Sequence, residues 1–285
     1  MKMSARRAFV SLSKAIVPKR IRVAARKGFE RGKFLYNVKG QFVRNRYNVY
    51  LMQRTGRLVL EVGYGGLGDH LTYSSLPRLL TQQRNIRVLV STRSVRRSPE
   101  IMEFVWGRNP YVTFTSVRGY PHLGEGDRRC SNLNEMMEGY FGLQGKGLPE
   151  VYYVPKCIPS LEKRYLVDAT HGPAGLSNGY ETEDFEETYV EFLRKEVKDF
   201  VLIQVGHTYA NLHLQERLLQ EFKPDTIAVN YLTEMADLLY SCRMSFLLYT
   251  GSASLAAAIL KPAKVICRRR SNPYFVYATN EYIDI

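Results

Sequence analysis

The 285-residue chain is poor in the features that would assign it quickly. It has four cysteines, Cys130, Cys157, Cys242 and Cys267, and no C-x-x-C spacing. A zinc or dithiol motif is therefore absent, and the cysteines read as reduced thiols of a cytoplasmic protein. Its longest uncharged run, 244–260, is interrupted by Thr250-Gly251-Ser252. That run falls short of the ~20 apolar residues a spanning helix needs. Acidic residues are nearly missing from the first 55 positions, which hold 15 Lys and Arg against Glu30 alone. The other 230 positions hold 26 basic and 26 acidic residues, so the whole net charge of +14 belongs to the N-terminal arm. Such an arm calls for a polyanionic partner.

The periodicity of the arm favours a membrane surface. Ala5, Ala8, Phe9, Leu12, Ala15 and Ile16 share one helical face, and Arg7, Ser11 and Lys14 another, before Pro18 ends the helix. Arg22, Arg26, Lys27, Arg31 and Lys33 then alternate with Val23, Phe29, Phe34 and Leu35. A basic amphipathic helix lies in the headgroup layer, each cation adding ~1 kcal/mol near an anionic surface. Lys14 interrupts the apolar stretch too early for a signal peptide. No recognition motif accompanies the charge, so nucleic acid is not the expected partner. A transit peptide and an undedicated basic tail remain alternatives.

From residue 57 the chain alternates strands and helices. Strands are expected at 57–63, 86–92, 111–116 and 151–154, with helices at 69–82, 98–107 and 132–142. The Gly- and Pro-rich segments 142–149 and 155–159 mark a boundary. A second set follows, with strands 165–169, 200–206, 226–230, 245–249 and 264–268 and helices 183–197, 213–222, 232–242 and 252–260. This rhythm gives parallel sheets of βαβ units. The expected organisation is the arm at 1–55 and two doubly wound Rossmann-like domains, 56–158 and 159–285. Ligands then bind beyond the carboxyl ends of the strands, in the cleft between the sheets.

The loops at those ends carry the chemistry. The first strand runs into Gly63-Tyr64-Gly65-Gly66-Leu67-Gly68-Asp69-His70. Gly63, Gly65 and Gly68 fit G-x-G-x-x-G, and with Ser91 and Arg93 after the next strand an NADP-dependent oxidoreductase is one reading. Against it, Asp69 sets a negative charge where a pyrophosphate would lie. Arg93, Arg96 and Arg97 form a basic loop, suited either to an anionic ligand or to a solvated basic face. In the second half come Thr170-His171-Gly172, then Gly206, Asn230, and Thr250-Gly251-Ser252-Ala253-Ser254 opening an alanine-rich helix. Glycine and small hydroxyl residues at a helix N-terminus form a phosphate cradle.

Gly68-Asp69-His70-Leu71 with Ser74 and Arg78, together with 250–258 and Lys261-Pro262, resembles the heptosyltransferase-like glycosyltransferases of family 9, which have a GT-B fold. The resemblance covers 58–80 and 226–268. It departs from the family at Tyr249, where an acid usually precedes Thr-Gly, at Ser254, where the family has His, and at Pro77, two positions late. Little chain follows residue 268 to form a returning C-terminal helix.

The resemblance implies an inverting transfer from a nucleotide-sugar donor to a cell-surface glycolipid or polysaccharide, on the inner face of a membrane. Asp69 is then the catalytic base. Gly66, Gly68, His70, Arg78, Arg93 and Arg96 are expected to bind the acceptor. Thr170, His171, Gly172, Gly206, Asn230, Thr250, Gly251, Ser252 and Ser254 are expected to bind the donor. No D-x-D pair stands in a suitable loop, so no metal or other cofactor is expected. A non-catalytic sugar- or nucleotide-binding relative stays open on Tyr249 and Ser254.

Overall fold

The computed structural model describes Tyr50 and residues 52–119, 132–171, 179–197, 199–205, 212–268 and 275–285. The expected arm lies almost wholly outside these residues, as do Gly172 and Gly206.

Three parallel strands form the first sheet in the order β1 (Arg57–Leu60), β2 (Arg87–Ser91), β3 (Val112–Thr115). Between β1 and β2 stand α1 (Leu67–Leu71) and α2 (Leu76–Arg84). The sequence suggested one helix over 69–82. Two breaks explain the difference: Thr72 Oγ1 donates to the Gly68 carbonyl at 3.0 Å and Ser74 Oγ to the Leu71 carbonyl at 2.7 Å, while Pro77 enters α2 in its first turn. Hydroxyls that take carbonyls of the preceding turn, followed by proline, end one helix and start another. After β2, α3 (Pro99–Met102) is capped by Ser98, whose Oγ accepts the Glu100 N–H, and continues as a π-turn over Glu103–Gly107. The helix α4 (Leu133–Tyr140) follows β3.

The second sheet has six parallel strands: β4 (Tyr165–Asp168), β5 (Phe200–Val205), β6 (Asp225–Val229), β7 (Met244–Leu248), β8 (Ala263–Cys267) and β9 (Glu281–Asp284). Their order is β6-β5-β4-β7-β8-β9. Taken from its own first strand this is 3-2-1-4-5-6, the doubly wound order, whose direction reverses between β4 and β7. The helices are α5 (Glu183–Glu196), α6 (Leu212–Phe222), α7 (Leu232–Ser241) and α8 (Gly251–Ala258).

Both faces of this sheet are covered, because successive side chains of a strand point to opposite sides. Val167, Phe246 and Leu248 pack with Phe185 and Tyr189 of α5 and Leu214 and Leu218 of α6. Leu166 and Leu247 face the other way, toward Met235 and Leu239 of α7 and Leu255 and Ala256 of α8. That second cluster runs on without interruption into Leu60, Val88, Val90 and Trp106 of the first sheet's core. The two sheets therefore share one apolar interior.

Two expectations are corrected. Residues 151–154 do not form a strand. The span is anchored on α7 by a side chain, Tyr153 Oη donating to Asp237 Oδ1 at 2.7 Å, and just beyond it the Lys156 N–H donates to the same oxygen and the Ile158 N–H to Ser241 Oγ, each at 2.8 Å. Conversely, β9 was not foreseen. Its register against β8 is Val265 with Tyr282 and Ile266 with Ile283. The segment leading into it returns to the first half: Asn132 Nδ2 donates to the Val276 carbonyl at 3.0 Å and Tyr277 Oη to Asn134 Oδ1 at 3.3 Å.

Candidate active site

A cleft of about 400 Å³ opens where the two sheets meet. Small-molecule sites of 300–1,000 Å³ are usual. Gly66, Leu67, Arg97, Ser98 and Glu100 line it from the first half, and Thr170, His171, Asn230, Thr250, Gly251 and Ser252 from the second. It therefore spans the carboxyl ends of β4, β6 and β7, over the point where the strand order reverses.

The helix α8 presents its N-terminus to this cleft. Its N-cap, Thr250, makes no side-chain cap and instead donates to the Leu248 carbonyl at 3.4 Å. The Ala253 N–H turns back to the Thr250 carbonyl at 3.2 Å, which leaves the amides of Gly251 and Ser252, without an i−4 partner inside the helix, to face the cleft with the positive end of the helix dipole. The helix is apolar all round, Ala253 to Ala258 being buried. Packing holds it, together with Asn280 Nδ2, which donates to the Ala253 carbonyl at 3.0 Å, and a side-chain bond from Ser252.

Below the N-terminus of α8 sits a residue that the sequence reading missed. Asp168, the last residue of β4, is wholly buried. Its Oδ1 accepts both the N–H (2.9 Å) and the Oγ1–H of Thr170, and its Oδ2 accepts the Ser252 hydroxyl. In the family resemblance an acid precedes Thr-Gly; here Tyr249 stands there, and its hydroxyl accepts the Phe275 N–H at 2.8 Å. An acid reaches the same turn from the neighbouring strand, where Asp168 is in register with Leu247. A lone aspartate at a strand end carries no signal of its own, which is why the spacing did not reveal it.

On the opposite wall, the half-buried Asp69 turns back along α1 so that its Oδ2 accepts the Gly66 N–H at 2.9 Å. A Cβ on Gly66 would come within 2.8 Å of that oxygen and would push the carboxylate out of place. Burial pushes the Asp69 carboxyl above the ordinary aspartate range, against the opposing pull of the Gly66 N–H and Arg97. Raised basicity beside a cleft suits a proton acceptor. Asp69 stands behind Gly66 and is not itself a lining residue.

The other expected acceptor residues divide. Gly66 lines the cleft, and Gly68 is where α1 meets α8, its missing Cβ facing Ser254 Oγ at 3.5 Å. His70 is corrected: it is fully buried, Nε2 donates to the Val95 carbonyl at 2.8 Å, and Nδ1 accepts from Trp106 Nε1 at 2.9 Å. Burial also lowers its pKa, so the ring is a neutral core group with nothing left for a ligand. Arg78 is held by both oxygens of Glu150 and does not line the cleft. Arg96 donates to the Thr92 carbonyl at 3.1 Å, and Arg93 is exposed on the same loop. Arg97 is the member of that trio that reaches the cleft.

Among the donor residues, Thr170, His171, Asn230, Thr250, Gly251 and Ser252 line the cleft. His171 is buried, with Nε2 3.5 Å from the Glu181 carboxylate. Ser254 is corrected: it is buried between α8 and α1 and does not line the cleft. Glu100, also unforeseen, crosses the cleft, its Oε1 accepting the Leu232 N–H at the start of α7.

The G-x-G-x-x-G geometry does not serve a dinucleotide. Asp69 already occupies the Gly66 amide, and the 63–66 loop is tied to the next one by Val95 N–H to the Val62 carbonyl and Arg97 N–H to the Gly65 carbonyl, each at 2.9 Å. Ser91 is buried, and its hydroxyl donates to the Val117 carbonyl at 2.8 Å, so it offers no hydrogen to a 2′-phosphate.

The fold is that of the heptosyltransferase-like glycosyltransferases. Solved structures that it resembles include the dodecameric, iron-containing glycosyltransferase TibC of enterotoxigenic E. coli, with a TM-score of 0.54 and 13% identity over 79% of this chain and 61% of that one. The family 9 glycosyl transferase of Veillonella parvula gives 0.53 and 11% over 80% and 85%. The ADP-heptose LPS heptosyltransferase II of E. coli gives 0.50 and 15% over 79% and 90%. The chain thus spans less than two thirds of the length of TibC. No protein-family model matches the sequence, and no curated protein matches it. Among the described residues no helix is long and apolar enough to cross a membrane, and no three His, Cys, Asp or Glu side chains gather as metal ligands.

Proposed function

We propose that the protein is an inverting glycosyltransferase of GT-B architecture that moves a sugar from a nucleotide diphosphate to a glycolipid or saccharide acceptor. The observation that carries this reading is the two-sided cleft, with the uncapped N-terminus of α8 on one wall and the Gly66–Asp69 turn on the other. Asp69 takes the proton of the acceptor hydroxyl. That oxygen attacks the sugar carbon from the face opposite the diphosphate, and the amides and dipole of α8 hold the departing charge. Arg97, with Arg93 and Arg96 beside it, supports an acceptor bearing negative charge. The arm at 1–55, the first sheet within 56–158 and the second within 159–285 are the proposed functional divisions, the arm holding the enzyme on an anionic membrane face.

The neighbours support a nucleotide-sugar donor. TibC has been solved in complex with ADP-D-β-D-heptose. The deciding experiment is a thermal-shift panel of ADP-, GDP-, UDP- and CMP-sugars with NADPH. Ligand at 100 times its Kd adds about 2.7 kcal/mol, a shift of several degrees for a chain of this size. A shift with one nucleotide sugar is expected; a shift with NADPH alone overturns the reading. We further propose that transfer needs no metal. TibC is described as iron-containing, so loss of activity in excess chelator would reject this part. Removal of residues 1–55 is expected to release the protein from anionic vesicles, and unchanged vesicle binding would reject the arm as the anchor.

A further inference from the structure

We propose that Asp168 is a positioning residue that sets the hydrogen-bonding polarity of the donor site, making it select the sugar-bearing nucleotide over the bare diphosphate. The inference rests on the glycosyltransferase reading above.

A serine or threonine hydroxyl has one hydrogen to give and two lone pairs to offer. Asp168 receives the hydrogens of both Thr170 Oγ1 and Ser252 Oγ, the two hydroxyls that flank the start of α8 in the cleft. What these oxygens then present to the cleft is lone pairs. Phosphate oxygens are acceptors only, and two outward-facing acceptors repel them. Sugar hydroxyls are donors, and the same two oxygens attract them. The division of labour follows: the amides of α8 take the diphosphate, and Thr170 and Ser252 take the hydroxyls of the sugar beside it. Geometry favours the sugar as that hydroxyl-bearing group. Gly251 packs directly on Leu67 and Gly68, next to Asp69, so a sugar carbon reached from Asp69 lies beside the start of α8.

The arrangement is built to be rigid. Asp168 is fully buried, and the bonds to a carboxylate are of the stronger, charge-assisted kind. Its Oδ1 also accepts the Thr170 N–H, which fixes which oxygen serves which partner.

That asymmetry gives a sharp test. In Asp168→Asn the amide oxygen must stay on the Thr170 N–H, so the NH₂ faces Ser252 Oγ and donates to it. The Ser252 hydrogen is then forced into the cleft, and an acceptor becomes a donor. Binding would be measured calorimetrically on the full chain with three pairs of probes: ADP-D-β-D-heptose and ADP, UDP-glucose and UDP, GDP-mannose and GDP. For the pair that binds the wild type, Asp168→Asn is expected to raise the ratio of the nucleotide-sugar Kd to the diphosphate Kd at least tenfold, with diphosphate binding unchanged or tighter. Ser252→Ala is expected to move the ratio the same way by about three- to tenfold, and the effect of Asp168→Asn should shrink in the Ser252→Ala background.

Equal weakening of both ligands in Asp168→Asn, as a merely structural role would give, overturns the proposal. If that variant does not fold, Ser252→Ala decides alone: an unchanged ratio overturns, a raised one supports. A wild type that binds no nucleotide sugar of the panel overturns the glycosyltransferase reading and this inference with it. Wild-type binding with no change of ratio overturns this inference only.

Discussion

Gly68 of α1 and Gly251 of α8 meet backbone to backbone where the two halves of the cleft join. A Cβ on Gly251 would stand 3.2 Å from Leu67 Cβ and 3.4 Å from the Gly68 nitrogen, whereas a Cβ on Gly68 would meet nothing closer than Ser254 Oγ at 3.5 Å. The contact is where the wall carrying the Asp69 turn joins the wall carrying the phosphate-facing helix. Its tolerance is one-sided.

The two alanine variants should therefore differ in sign. Gly251→Ala forces α1 away and is expected to cost about 1–3 kcal/mol, as overpacking does. Gly68→Ala sits inside a helix with ordinary van der Waals room and gains up to about 1 kcal/mol of helix propensity. Urea denaturation of both variants checks this. Equal destabilisation would mean that the halves are not in backbone contact at this point.

Asp69 gives two linked predictions. Asp69→Asn is expected to lower transfer by roughly 10²–10⁴-fold, the usual contribution of a general base, while leaving nucleotide-sugar binding intact. In the wild type the base works only when ionised, and burial holds its folded pKa above the ordinary value of about 3.9. Activity should thus fall with acid in a range above that value. The sign for stability is opposite to that of a salt-bridged aspartate. A raised folded pKa means that ionisation costs folding free energy above it. Near pH 8 Asp69→Asn is then expected to melt at or above the wild type. A lower melting point would show that the Gly66 N–H bond outweighs the burial of charge.

How far the residues spoke for themselves depended on whether the information was local. The strand-and-helix rhythm of the second half was legible because each apolar run is bounded by its own turn, and the Gly251 helix was legible from its small residues. The break at Thr72–Ser75 was hidden, because it rests on hydroxyls bonding back to carbonyls within an apparently continuous helix. The status of His70 depended on Trp106 and Val95, 36 and 25 positions away. Asp168 and Ser252 are 84 positions apart and meet only because β4 and β7 are neighbours. Side chains brought together by strand order leave no spacing in the sequence.

The Glu100–Leu232 bond predicts a competition. Leu232 lines the cleft, and its amide at the start of α7 is already taken by a carboxylate from the other half. A nucleotide filling that end must displace Glu100. Glu100→Ala is expected to bind the nucleoside diphosphate a few-fold more tightly. It should also lower the melting point of the free protein by roughly 2–4 °C, the loss of a cap being worth about 1 kcal/mol. Titration calorimetry and a melting curve on the same variant check both. Weaker nucleotide binding would mean that Glu100 touches the ligand itself.

Arg78 and Glu150 supply the control for the acceptor site. The family resemblance pointed to Arg78 as an acceptor contact, but its guanidinium is spent on both oxygens of Glu150, whose own N–H donates to Ser74 Oγ at 2.8 Å. The pair fastens the connecting segment to α2 before it crosses to α7. It is partly exposed, 33% for Arg78 and 23% for Glu150, so solvent screens it and about 1 kcal/mol is expected. Arg78→Ala and Glu150→Ala should each lower the denaturation midpoint by similar amounts, and the double variant should lose little more than either alone. Neither should change the KM for an anionic acceptor, whereas Arg97→Ala should raise it. If Arg78→Ala raises that KM as much as Arg97→Ala does, the ion pair opens during the reaction and Arg78 is a substrate contact after all.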